Sequence, residues 1–113
     1  MSFRSETSLW MLQRASAAVL ALCVLVHLAT IIYAVQGGLS AAEILGRTRG
    51  NYGWAAFYSL FVLACAVHVP IGLRAVVAEW LAWRGRSRGL ALVAFAALIA
   101  ATGMRAVIGV FAG

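Results

Sequence analysis

The chain has 113 residues, of which 65% are hydrophobic and only 11% charged. A soluble domain of this size needs a polar surface that such a composition cannot supply, so lipid is its natural solvent. The formal net charge is +6, but most of the arginines stand at the ends of apolar runs instead of along one face, which points to membrane orientation and anionic head groups and away from nucleic acid.

The first apolar run covers about 9–35 and carries Arg14, Ser16, Cys23 and His27. It is longer than the roughly 7–15 residues of a signal-peptide core, so it reads as a retained helix. The connection at 36–53 opens on Gly37-Gly38 and continues with Ser40, followed three residues later by Glu43. That spacing is a capping box and predicts a short interfacial helix. The second run covers about 54–83. Tyr52, Trp54 and Tyr58 gather at its start and Trp80 and Trp83 at its end, as aromatic residues do at the two membrane interfaces. A short turn, Arg84 to Arg88, leads to a third run at about 89–111, which makes the second and third helices antiparallel neighbours. Each run meets the roughly 20 residues needed to cross a bilayer core.

The expected architecture is therefore one all-α integral membrane domain over 1–113 with three transmembrane helices. Arg84, Arg86 and Arg88 in the second turn, with Arg4 and Arg14 near the start, put that turn and the N-terminus in the cytoplasm. The C-terminal end has no arginine after Arg105 and falls outside. Arg47 and Arg49 in the first connection pull weakly the other way. Cys23 and Cys65 lie in different apolar runs with no CxxC or CxxCH pattern, so both read as free thiols packing as small apolar groups.

Ionisable groups inside a membrane are costly and need a reason. The chain has two histidines, His27 in the first run and His68 in the second. Each can simply hydrogen-bond a carbonyl or a neighbouring helix. The sharper reading is axial ligation of a haem iron, because a neutral imidazole is a good ligand and a flat apolar macrocycle fits between helices. Ala64, His68, Gly72 and Ala75 share one helical face; small side chains there suit either a macrocycle or close helix packing. Taking Arg14 and Arg74 as both near the cytoplasmic boundary, His27 and His68 differ in depth by about 10 Å. Two ligands of one iron should be level, so this spacing predicts two haems, each completed by another chain.

Arg14, Arg74 and Arg105 can snorkel to an interface or pair with haem propionates or a quinone carbonyl. Pro70, two residues after His68, removes a helix hydrogen bond and predicts a local kink.

Two stretches carry a family resemblance. Gln13-Arg14-Ala15-Ser16-Ala17 resembles the pattern H-R-x-S-G, with Gln13 in place of histidine and Ala17 in place of glycine. His68-Val69-Pro70-Ile71-Gly72-Leu73-Arg74, with Glu79 following, resembles H-x-x-x-G-[IL]-R-x-x-x-x-[DE]. Both are patterns of the cytochrome b membrane-anchor subunit of succinate dehydrogenases and fumarate reductases, and the three-helix layout extends the likeness over nearly the whole chain. Trp10 stands where single-haem anchors often have serine, and Ala75 where a histidine often follows the arginine.

The resemblance implies that His68 is an axial ligand of haem b and that Arg14 and Ser16 belong to the quinone site. His27 matches the two-haem members, in which the first helix serves a distal haem. It also implies a non-catalytic anchor in a bacterial inner membrane, working with a flavoprotein subunit, an iron–sulfur subunit and either a second anchor subunit or another copy of this chain. That anchor helps to form the quinone site and to conduct electrons to quinone. The rival readings are the haem-b anchor of another respiratory dehydrogenase, a haem-free anchor or assembly protein, and a small transporter. Glu79, the one acidic candidate for transport, sits beside the interfacial Trp80.

Overall fold

The structure, a computed structural model, describes residues 3–113. It contains α1 (Phe3–Gly37), α2 (Ala41–Thr48), α3 (Tyr52–Leu81) and α4 (Arg86–Ala112). The spans Ser5–Gly37, Tyr52–Leu81 and Arg86–Ala112 are long and apolar enough to cross a membrane. The protein is an all-α membrane protein, with long helices at each of the three expected places. The Arg4 side chain, counted above for orientation, lies outside the described residues.

Helix boundaries differ from the sequence expectation for local reasons. α1 begins six residues before the apolar run, because the polar stretch around Glu6 continues the helix beyond the bilayer core and puts an acid in its first turn, where the helix dipole favours it. α3 ends when Ala82 adopts a left-handed conformation, φ 53°. Gly85, at φ 98°, then starts α4. The connection is thus residues 82–85, and Arg86 and Arg88 belong to the first turn of α4 rather than to the turn itself. Trp83 Nε1 donates to Ser87 Oγ at 2.8 Å and ties the two helix ends together.

The predicted interfacial helix is α2. Ser40 caps it, accepting from the Glu43 backbone N–H at 3.1 Å. Asn51 caps α3 in the same way through Trp54 N–H. α2 closes the end of the bundle opposite the arginine-rich turn: Thr48 Oγ1 donates to Val110 O at 2.8 Å, Gly50 N–H to Phe111 O at 2.9 Å, and Arg49 Nη2 to Gly113 O at 2.6 Å.

α3 is the middle helix, packed on α1 along one side and on α4 along the other. It runs unbroken through Pro70, which is buried, although the ring leaves the Ala66 carbonyl without its i+4 donor. The α3–α4 contact depends on Gly103. A Cβ there would come within 2.6 Å of Val62 Cγ1 and 2.8 Å of Val62 Cγ2, so the missing side chain sets how closely the backbones approach. Gly103→Val is expected to lower stability by about 1–3 kcal/mol through overpacking, read as an earlier thermal transition in detergent.

Most large apolar side chains of the spans, such as Leu22, Leu25, Val93 and Leu98, are exposed. Lipid or partner helices are the natural cover for such a surface. The small side chains Cys23, Ala34, Ala64, Ala78 and Val107 make the buried core, as expected where helices associate in lipid. Both cysteines are free.

Candidate functional site

Among the described residues, polar side chains gather in three places, two of them inside the apolar span. The first is where α1 meets α3 through Gln13, Ser16, His68 and Gly72. Ser16 is 7% exposed. Its Oγ lies 3.1 Å from the Gln13 carbonyl oxygen and 3.2 Å from His68 Nδ1. A serine hydroxyl has one proton, and a carbonyl only accepts. Both contacts are satisfied when Ser16 donates to Gln13 and the Nδ1–H of His68 donates to Ser16. In the neutral imidazole this arrangement puts the proton on Nδ1 and the lone pair on Nε2, the nitrogen that could ligate a metal.

Gly72 leaves room here for the end of the Gln13 side chain. A Cβ on it would sit 3.3 Å from Gln13 Nε2. Gln13 Oε1 is buried without a partner. Ala64 is buried beside Ser16, in an apolar groove of about 220 Å³, whereas Ala75 is exposed. The small-residue face of α3 therefore seats α1 at Ala64 and Gly72, the plainer of the two roles considered for it.

The second place surrounds His27. This half-buried ring stands edge-on to Tyr58 and Phe61 of α3, with centroids 6.0 and 5.6 Å away. Its Nδ1 is buried and has no hydrogen-bond partner. His27 opens on an apolar cleft of about 360 Å³ whose walls include Thr48, Tyr58, Phe61, Gly103 and Val107. A buried polar atom left unpaired costs about 1–3 kcal/mol, and no side chain or backbone group among the described residues pairs with Nδ1.

The two histidines stand at different levels. His68 is opposite Ser16 and His27 is opposite Tyr58 and Phe61. Counted along either helix, the separation is about 10–16 Å, so the two rings of one chain cannot share an iron. The assumption that Arg14 and Arg74 are level does not hold. Arg74 Nη2 meets Glu6 Oε1 at 3.4 Å, and Glu6 lies about 12 Å before Arg14 on α1. Arg14 instead sits within a turn of Ser16, close to the level of His68.

The remaining candidates are spread out. Arg14 is exposed, its guanidinium 5.0 Å from the Trp10 ring centroid. Arg74 belongs to the third polar place, a cleft of about 370 Å³ at the arginine-rich end that Glu6, Glu79, Arg84 and Arg88 also line. Arg105 is exposed on α4, next to Ala106 but outside the lining of the His27 cleft. So the structure brings Ser16 to His68, keeps Arg14 near their level, and leaves His27 and Arg105 towards the other end. No three His, Cys, Asp or Glu side chains come together among the described residues; each histidine is a single potential ligand.

The family described as "Succinate dehydrogenase/Fumarate reductase transmembrane subunit" matches residues 1–104, a stretch that holds both histidines, the Gln13–Ser16 turn, Arg14 and Arg74. The chain belongs to that family. No curated protein and no solved structure matches it. Some residues of the polar places are ones that sequence patterns pass over. Thr48, Tyr58 and Phe61 all line the His27 cleft; Tyr58 looked like an interfacial marker, and only the packing of α3 turns it towards α1. Gln13 takes part through its backbone carbonyl, which any residue one turn before Ser16 would supply, so its side chain gave no cue to that role.

Proposed function

We propose that this subunit is a haem b-binding membrane anchor of a succinate dehydrogenase or fumarate reductase complex. It holds one haem through His68 and a second through His27, and it helps to form the quinone site. The observation that carries the reading is the hydrogen-bond relay from His68 through Ser16 to Gln13, which leaves Nε2 as the ligating atom. Metal-bound histidines characteristically have such a partner on the other nitrogen. His27 supports a ligand role through its place inside the apolar span, half-buried at the wall of an apolar cleft.

A bound haem b supplies one-electron carriage between an iron–sulfur subunit and quinone. The chain's own residues do the rest. The apolar helices exclude water and lower the local dielectric. The two histidine levels set two positions across the bilayer. Arg14, exposed and near the His68 level, can offer its guanidinium fork to a quinone carbonyl or a propionate. Arg74, held by Glu6, serves the same chemistry at the arginine-rich end, and Arg105 does so at the opposite end. The arginine count supports an Arg84–Arg88 region on the cytoplasmic side; in a bacterial inner membrane that is the side where a flavoprotein and an iron–sulfur subunit would dock. A second anchor subunit or another copy of this chain would supply whatever further ligand each haem needs. The anchor itself performs no C–H chemistry.

Affinity purification of the tagged chain from its own membrane tests the assembly. The flavoprotein and iron–sulfur subunits are expected to co-elute, with succinate-dependent quinone reduction or quinol-dependent fumarate reduction in the eluate. Recovery of the chain without them would overturn the anchor role.

A further inference from the structure

We infer that Ser16 is a positioning residue for His68 and not a quinone contact. The inference rests on the proposed ligation by His68 and adds what governs that ligand. Ser16 is enclosed between α1 and α3, 7% exposed; its one hydroxyl proton goes to the Gln13 backbone carbonyl, which leaves its oxygen to accept from His68 Nδ1–H. The single proton of the hydroxyl is directed to the Gln13 backbone carbonyl, so none is offered to a quinone carbonyl, which can only accept. A hydroxyl with the reverse polarity would put the proton on Nε2 and block ligation.

Two consequences follow from this bond. It selects the Nδ1–H tautomer before any haem arrives, so the ligand is ready-made. It also increases the electron donation of the imidazole, because an Nδ1–H that is hydrogen-bonded gives the ring partial imidazolate character. A stronger donor favours ferric over ferrous iron and holds the reduction potential of that haem down. The neighbouring fold supports the arrangement: Gly72 lets Gln13 lie against α3, and Gln13 carries the carbonyl that fixes the direction of the relay.

The test compares Ser16→Ala with Ser16→Thr in the assembled complex purified from membranes. Ser16→Ala, close in volume, is expected to weaken haem retention by about 10–100-fold, the usual effect of losing a partner of a metal-bound histidine. It is also expected to raise the midpoint potential of one haem and shift its low-spin ferric EPR signal, with the quinone KM unchanged. Ser16→Thr, which keeps the hydroxyl, should restore all three. If Ser16→Ala fails to accumulate, Ser16→Cys keeps the size with a much weaker acceptor and must move the potential in the same direction. A raised quinone KM with unaltered haem spectra and potential would overturn the inference, as would unchanged haem properties in both Ala and Cys variants. A wild-type complex without haem would instead overturn the ligand reading on which it rests.

Discussion

His68→Ala is expected to empty the proposed haem site on α3 while the subunit remains in the membrane. Partners of a metal-bound histidine alone are worth about 10–100-fold in retention, so loss of the ligand itself should cost at least about 100-fold. The fold has reason to survive. The ring is only half-buried, the long α3 is held on both sides by α1 and α4, and the lost hydrogen bond contributes about 1 kcal/mol. Reduced-minus-oxidised spectra, normalised to subunit level by immunoblot, read the outcome. A helix-packing histidine would give a different result: slightly lower stability and an unchanged spectrum. The contrast is large because ligation and packing differ in scale by several kcal/mol at one residue.

The second large effect is selective. His27→Ala should remove one haem and leave the other, so haem per subunit falls to about half. The basis is the register of α1 on α3, which puts the two rings about 10–16 Å apart along the bundle. Sites this far apart with no shared partners act independently, so the double variant should lose both haems additively. If one iron were held by both histidines, either single replacement would empty the site. His27→Ala also removes the orphaned Nδ1, so a loss of haem without a loss of protein would mark the ring as a ligand and not a structural element.

Much of the architecture was legible because a membrane imposes simple rules. Three apolar runs above the spanning length, aromatic residues at their ends and the Ser40–Glu43 spacing were enough to anticipate the spans and α2. The extension of α1 back to Phe3 was not, because the polar residues around Glu6 resemble a tail until they are seen to continue a helix. Arg86 and Arg88 looked like turn residues for a similar reason, and it is the positive φ of Gly85 that starts α4 before them. The site was legible in its residue types and not in its register. Ser16, His68 and His27 stand out as polar groups in apolar helices. How far α1 slides along α3, however, shows only in the folded helices, where Gln13 lies over Gly72 and Glu6 reaches Arg74, and neither contact is a periodic signal. That slide moved Arg14 close to the level of His68, brought Ser16 to His68 and turned Tyr58 to His27.

The most direct measurement is a pyridine-haemochrome determination on the wild-type complex, purified through this subunit. With no CxxCH in the chain, any haem is held without covalent bonds. The expected result is acid-acetone-extractable protohaem with a b-type α-band, at two haems for each copy of the chain if the partner ligands come from a second anchor subunit, and one for each copy if two copies of this chain share the sites. A complex that contains the flavoprotein and iron–sulfur subunits but no protohaem would contradict the haem-ligand role of both His68 and His27.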